Sequence, residues 1–391
     1  MTSQRQGDSE GSDSVNMKIV FAAGGTAGHI NPAIAIADYM KTRHPEAEIS
    51  FIGVSGAMEE RLVQNAGYDF YSIDVAGFQR KISVKNLARN ASAAVKVFTA
   101  TAQADKLLKQ LKPDLAVGTG GYVTGPVLRK AAKLGIKTAV HESNAFPGVT
   151  VKMLASYMDA VMICDEAAKK HLKPKREYIV TGNPIRQEII NAKKAESKEE
   201  LNLDARPVIL SYGGSLGARR INESIAEVMA WHCGGGEYQH IHAMGQYGTD
   251  WFPGYIKAKG VDLERQKQIR VSEYINNMSD CLAAADVVIC RSGAMTISEL
   301  CVQGKASILI PSPNVAENHQ YYNALALADR DAAVVIEEKD LTGERLVTEL
   351  KNLLSDPEKL QQMGENALSA AIFDANERIY KVLMNLIKQN I

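Results

Sequence analysis

A histidine set just after a glycine-rich turn is the residue in this chain with the most direct chemistry. In AAGGTAGHINP (22–32), Gly24, Gly25 and Gly28 permit backbone conformations closed to other residues, and His29 follows them as a base that can take a proton near neutral pH. Asn31 and Pro32 predict an N-cap and first-turn pair, so the turn would bring backbone N–H groups and a helix N-terminus close to a polar or anionic ligand. The plainer alternative is a capping, hydrogen-bonded histidine on a structural turn.

A second group sits in CRSGAMTISELCVQG (290–304), where Ser292 and Gly293 open a helix whose first amides would face a diphosphate. Glu299, within that helix, is acceptor-only and suited to both hydroxyls of a ribose; the alternative is a solvated carboxylate. Tyr122 in GTGGYVTGP (118–126), with Glu142 and Asn144 in HESNAFPG (141–148), offers hydrogen bonds to sugar hydroxyls, or only to loop backbone. Gln320, near the start of the polar helix NHQYYNALAL (318–327), would reach a ribose or sugar hydroxyl, or lie on a helix surface. The one Asp-x-Asp triplet, Asp329-Arg330-Asp331, falls at a helix-to-strand junction and reads as a solvated turn. Diphosphate charge would then be met by helix dipoles and Arg186, with no tightly bound metal; free magnesium stays open.

The elements that must hold these residues alternate. From Met17 the order is strand, glycine-rich turn, helix: KIVFAA, NPAIAIADYM, EISFIGV, then a helix near 57–66. Further strands fit DLAVGT, KTAVHE and DAVMIC, and the three loops above fall beyond the carboxyl ends of their strands, where open α/β sheets bind ligands. A second series opens with PVILSY, turns through SYGGSLGARRIN (211–222), and runs on through QHIHAM, ADVVICRSG, ASILIP and AAVVIE. The reading is an α/β chain with two Rossmann-like parallel-sheet domains facing each other across a cleft. Expected boundaries are a leader at 1–16, domains at 17–186 and 187–373, and a C-terminal helix at 374–391 that returns to the first domain.

Composition narrows the function. Lys and Arg total 45 against 45 Asp and Glu, which gives no net attraction to nucleic acid. Five cysteines without ligand spacing read as reduced thiols, and residues 1–16 are polar, with Met17 as an expected functional start. No apolar run approaches the ~18 residues of a membrane span. One stretch stands out: 78–98 (FQRKISVKNLARNASAAVKVF) holds Arg80, Lys81, Lys85, Arg89 and Lys96 with no acidic residue, and Val84, Leu87, Ala91, Val95 and Phe98 recur at helical spacing. It would dock on an anionic membrane, or pack on its own sheet. A dinucleotide site is disfavoured, because the first turn reads G-G-x-x-G and strand two ends in Gly53-Val54 with no acid for a ribose.

Taken in order, GGTAGH, GTGGYVTGP, HESN, GNPIR, GGSLGAR, SGAMTISE and HQYYNA resemble the MurG family from about Met17 to the C-terminus. The resemblance implies a GT-B fold, UDP-N-acetylglucosamine (UDP-GlcNAc) as donor, and undecaprenyl-diphosphate-linked muramyl pentapeptide (lipid I) as acceptor, at the cytoplasmic face of the cell membrane. The product would be lipid II, the peptidoglycan precursor. By matching motifs, donor contacts fall on Thr26, Ala27, Gly28, Asn144, Arg186, Ser215, Ile275, Ala294, Met295, Thr296, Ile297, Ser298, Glu299 and Gln320. His29 would be the catalytic base of an inverting transfer, and Tyr122 and Glu142 acceptor-side groups. The chain departs from the pattern at Ala27, where the family often has glycine, and at His319, where glutamine is common. The rivals are a similar transferase with another lipid acceptor such as a diacylglycerol, and a protein that binds a UDP-sugar without transferring it.

Overall fold

The computed structural model describes residues 17–75, 99–173, 177–235 and 237–389; the leader and the basic stretch 78–98 lie outside the described residues. The first sheet contains β1 (Lys18–Ala23), β2 (Glu48–Gly53), β3 (Asp69–Ser72), β4 (Leu115–Gly120), β5 (Lys137–Glu142), β6 (Ala160–Ile163) and β7 (Tyr178–Val180). All are parallel, in the order β3-β2-β1-β4-β5-β6-β7. The helices between them are α1 (Ala27–Arg43), α2 (Met58–Asn65), α3 (99–111), α4 (Thr124–Lys133) and α5 (Val149–Leu154).

The second sheet repeats this plan with β8 (Val208–Tyr212), β9 (Gln239–Ala243), β10 (Ile269–Ser272), β11 (Val287–Cys290), β12 (Ala306–Leu309) and β13 (Ala333–Val335). Its order, β10-β9-β8-β11-β12-β13, is the order of the first sheet without the last strand. Helices α6 (Gln187–Asn191) and α7 (Lys194–Glu200) precede it. The helices α8 (Arg219–His232), α9 (Phe252–Ala258), α10 (Met278–Ala284), α11 (Ala294–Val302), α12 (His319–Ala328), α13 (Gly343–Leu354) and α14 (Pro357–Ser369) cover it. Every residue of β4 and β8 is buried, as strands covered on both faces require. The chain thus has two parallel-sheet, Rossmann-like domains, the GT-B architecture.

In each sheet the strand order reverses beside the first strand, between β1 and β4 and between β8 and β11. Loops diverge at such a switch point and leave a crevice at the carboxyl ends of the strands. The glycine turns after β1, β4 and β8, and Ser292-Gly293 after β11, all open onto these two crevices.

Two local expectations change. α1 begins at Ala27, with Thr26 in the capping position, so Asn31 and Pro32 lie inside the helix instead of opening it. Proline forfeits one ladder bond there, but Ile30, Ala33, Ile36, Ala37 and Met40 bury one continuous face, and that burial outweighs a single lost bond. The consequence is functional, since His29 stands in the first turn of a helix and not in a loop. The short strands β3, β7 and β10 extend the sheets beyond the strands that periodicity picks out.

The last helix, α15 (Ala375–Lys388), crosses back to the first domain. Ile379, Leu383, Leu386 and Ile387 join the core formed by Met17, Ile19, Phe21, Ile36 and Met40. Each such buried side chain contributes about 1.5–3 kcal/mol. Glu377 on α15 accepts from the Tyr39 hydroxyl and from Arg43, both at 2.8 Å.

Candidate functional site

His29 is half-buried, and its Nδ1 lies 3.2 Å from the Gly24 carbonyl and 3.2 Å from Thr26 Oγ1. A carbonyl only accepts, so this contact assigns the proton to Nδ1 and leaves Nε2 as the basic atom. Gly120 fixes the ring from the other side, because a Cβ there would fall 2.6 Å from His29 Cδ2. Burial lowers the imidazole pKa from its usual value, the Gly24 carbonyl works against that, and His319 at the start of α12 lowers it further. His319 belongs to the second domain, so His29 faces across the cleft.

Thr26, Ala27 and Gly28 form the turn that opens α1. No side chain caps this helix and its first turn holds no acid, so the amides at its N-terminus remain open to a polar or anionic group. α11, which touches α1 across the cleft, is equally uncapped, with no acid in its first turn. Ala294, Met295 and Thr296 supply its leading amides. Ser292 Oγ donates to the Gln320 carbonyl at 2.8 Å, which ties the α11 entrance to α12.

Glu299 lies one to two turns further along α11. Among the described residues, nothing hydrogen-bonds its carboxylate. Burial pushes its pKa up to about 7, opposed by the charge of Arg186. Tyr212, at the end of β8, lies near enough for burial and the Glu299 charge together to raise its phenol. Arg186 itself is half exposed and donates to Glu188 at 2.9 Å, so its guanidinium remains at the rim. Ser215 is exposed on the β8 turn, where its carbonyl accepts from Gln246 at 3.2 Å.

Five other candidates are placed differently from a simple row of contacts. Ile275 is 5% exposed and belongs to the second-domain core, so only its backbone N–H and carbonyl can meet a base. Glu142 is 3% exposed, and its carboxylate accepts from Asn144 N, Asn144 Nδ2 and Gly148 N at 2.9, 3.0 and 2.8 Å. That carboxylate holds its own loop. Ile297 and Ser298 face the seam between the domains, and Ser298 Oγ accepts from Asn183 Nδ2 at 2.9 Å. Tyr122 keeps a half-buried ring beside the first turn, with its hydroxyl donating to Glu59 Oε1 at 3.4 Å.

Asn144 and Gln320 are both engaged. Asn144 Oδ1 accepts from Asn323 Nδ2 at 3.2 Å, and Gln320 Oε1 accepts from Ser312 N at 2.9 Å. Asn323 is the centre of the seam, since it also accepts from Ala145 N at 3.0 Å and donates to the Ser292 carbonyl at 3.2 Å. Phe146 stacks on Tyr322 at 4.8 Å between centroids, Lys152 pairs with Glu317 at 3.8 Å, and Asp165 pairs with Arg330 at 3.5 Å. Sequence reasoning missed Asn183, Asn323 and Glu59, and took His319 only as a departure from the pattern. The first two had a signal, being the polar residues of two motifs with no ligand role assigned. Glu59, in MEERL, looks like any charged helix start.

Residues 19–163 match the glycosyltransferase family 28 N-terminal domain, and residues 208–379 match the glycosyltransferase family 28 C-terminal domain. The chain is 43% identical over 373 residues to the UDP-N-acetylglucosamine--N-acetylmuramyl-(pentapeptide) pyrophosphoryl-undecaprenol N-acetylglucosamine transferase of Acetivibrio thermocellus, covering 95% of this chain and 99% of that one. It is 42% identical to the protein of the same name from Ruminiclostridium cellulolyticum, over 95% of this chain and all of the relative. Among solved structures, MurG of Acinetobacter baumannii superposes with a TM-score of 0.76 at 28% identity, over 94% of this chain and 99% of that one. A UDP-GlcNAc 2-epimerase from Neisseria meningitidis, at 13% identity and a TM-score of 0.62, shares the fold. With relatives of this identity along nearly its whole length, the chain belongs to the MurG family within glycosyltransferase family 28.

Proposed function

We propose that this chain carries out the reaction for which its relatives are named, the transfer of N-acetylglucosamine from UDP to the muramyl O4 hydroxyl of lipid I, giving lipid II with inversion at the anomeric carbon. The acceptor oxygen attacks the anomeric carbon from the face opposite the diphosphate. The bond from that carbon to the diphosphate oxygen breaks, UDP leaves with the electron pair, and the hydroxyl proton passes to His29 Nε2. The amides opening α11, with Ser215 and Arg186 at the rim, meet the charge that develops on the leaving group. Glu299 takes the ribose hydroxyls, and the Ile275 backbone borders the uracil. No bound cofactor enters this scheme, and free magnesium is an assay variable.

The observation that carries the reading is the opposition of a tautomer-fixed His29 and an uncapped α11 across two switch points. The acceptor is anchored in lipid, so the reading also places the enzyme at the cytoplasmic face of the membrane as a peripheral protein. No helix among the described residues is long and apolar enough to cross a membrane. A surface contact is supported by the five cations of 78–98, and by Val149, Met153 and Tyr157, which are 45%, 62% and 48% exposed on the first domain.

The test is transfer of labelled N-acetylglucosamine from UDP to a lipid I analogue, beside a diacylglycerol acceptor. Product on lipid I alone is expected; product only on diacylglycerol reassigns the acceptor, and none on either, with UDP-GlcNAc still bound, leaves a binding protein. His29→Ala should lose about 10²- to 10⁴-fold in turnover while still binding UDP-GlcNAc. Near-normal turnover in that variant removes the histidine from the chemical step.

A further inference from the structure

Beneath the first turn lies a carboxylate that the scheme above does not use. Glu59, in the first turn of α2, is 1% exposed, and among the described residues no cation pairs with it. Its Oε1 accepts from Val54 N at 3.3 Å and from the Tyr122 hydroxyl at 3.4 Å, and its Oε2 accepts from Gly25 N at 3.4 Å. The Gly25 N–H and the Gly24 carbonyl belong to one peptide group, and that carbonyl is the partner of His29 Nδ1 at 3.2 Å. Carboxylate, peptide and imidazole therefore stand in a row.

We propose that Glu59 is a positioning residue for His29, acting through the single peptide group that joins Gly24 to Gly25. A peptide is a conjugated unit, so a carboxylate drawing on its N–H moves negative charge onto its oxygen. The Gly24 oxygen then accepts more strongly from Nδ1–H, which holds the imidazole in one tautomer and makes Nε2 more basic, as a second-layer carboxylate does for other histidines. Close packing enforces the row, since a Cβ on Gly24 would fall 2.8 Å from Glu59 Oε1. The other titratable group acting on His29 is His319, on α12, while Tyr122, from the β4–α4 loop, meets Glu59. Neither reaches Nδ1 through this peptide.

The proposal rests on His29 as the base, and the experiment separates the two. In full-length protein with labelled histidine, the His29 titration is followed by NMR without substrate, in wild type and in Glu59→Gln. The His29 pKa should fall by about half a unit to one unit in the variant, with the acid limb of the kcat profile moving the same way. Turnover should drop several-fold with KM for UDP-GlcNAc unchanged, and Glu59→Gln should add nothing on top of His29→Ala. An unmoved titration in a folded Glu59→Gln protein overturns the relay even if His29→Ala is inactive. Activity in His29→Ala instead overturns the base assignment, while the titration shift still reports the relay. If Glu59→Gln does not fold, Tyr122→Phe removes a donor from the carboxylate and should move the His29 titration upward; no movement there overturns the proposal too.

Discussion

Glu299 answers to two opposed demands, and pH separates them. Burial pushes its pKa up to about 7, so the empty site at pH 6 holds it mostly protonated. Under the proposed scheme ribose hydroxyls donate to the ionised form, so binding must drive the proton off. The affinity for UDP-GlcNAc should be level above about pH 8 and fall towards tenfold per unit below about pH 7. Glu299→Gln should flatten that profile and weaken binding by about 1–3 kcal/mol at pH 8. Stability runs the other way: a carboxyl whose folded pKa lies above its unfolded value stabilises fully below the unfolded pKa and loses that contribution as pH rises through about 7. The Gln variant should therefore melt higher than wild type at pH 8 while binding worse. Calorimetry across pH 6–9 decides the matter, and a pH-independent wild-type affinity would sink the ribose role. Residue types alone did not distinguish this carboxylate from Glu142. Both sit beside polar or glycine-containing motif segments, but Glu142 has three donors from its own loop, and among the described residues Glu299 has none.

Below the β8 turn, helix and strand trap a chain of imidazoles. His242 Nδ1 lies 3.1 Å from the Ser211 carbonyl and 2.8 Å from Ser211 Oγ, which itself lies 2.8 Å from His240 Nε2. His240 Nδ1 then meets His232 Nε2, on α8, at 3.0 Å. Since the carbonyl only accepts, His242 Nδ1 carries its proton, and one proton per ring then satisfies every contact in the chain. Burial takes His232 down to about 4, His242 to about 3, and His240 well below its usual value. Each folded pKa lies below the unfolded one, so the stability these groups give is complete above about pH 6.5 and is lost as pH falls towards 4. For His232 alone that is ~3 kcal/mol. The melting temperature should drop steeply between pH 6.5 and 4.5, while NMR of the folded protein at pH 5.5 shows these three rings still neutral. Any of them titrating near 6.5 in the native state would contradict the buried chain. The sequence announced the strand QHIHAM by its alternation with neighbouring helices, but not that His240 and His242 are both buried within it. Period-two reasoning puts His240 and His242 on one face of the strand, and in a sheet covered on both sides that face is dry whichever it is. The short β3, β7 and β10 escaped for the related reason that edge strands, only partly buried, carry little apolar signal. The order of the motifs along two repeated β/α series was legible, because glycine turns mark the strand ends that a Rossmann-like domain uses. The seam was not, since Asn183 and Asn323 gain meaning only when the two domains meet.

The whole molecule is neutral, with 45 basic and 45 acidic residues, so any attraction to a charged surface must come from local imbalance. A lipid-linked acceptor holds its diphosphate sugar at the bilayer surface, and the cleft has to come to it. The sequence from 78 to 98 supplies Arg80, Lys81, Lys85, Arg89 and Lys96 without one acid, and the same domain presents the exposed Val149, Met153 and Tyr157. A basic side chain near an anionic leaflet is worth about 1 kcal/mol, so five give a reversible attachment, far from permanent anchoring. The protein should cosediment with vesicles rich in anionic lipid and much less with neutral vesicles, and salt should release it as the Debye length falls from about 10 Å at 0.1 M to 3 Å at 1 M. Changing Arg80, Lys81 and Lys85 to Ser removes about 3 kcal/mol, which is roughly a hundredfold in vesicle affinity. The same triple variant should retain transfer to a soluble, short-chain acceptor, because none of the three belongs to the donor or catalytic groups. Equal binding to both vesicle types, or full retention by the triple variant, would remove 78–98 from the membrane contact and leave the apolar group of Val149, Met153 and Tyr157 to be tested next by Met153→Glu.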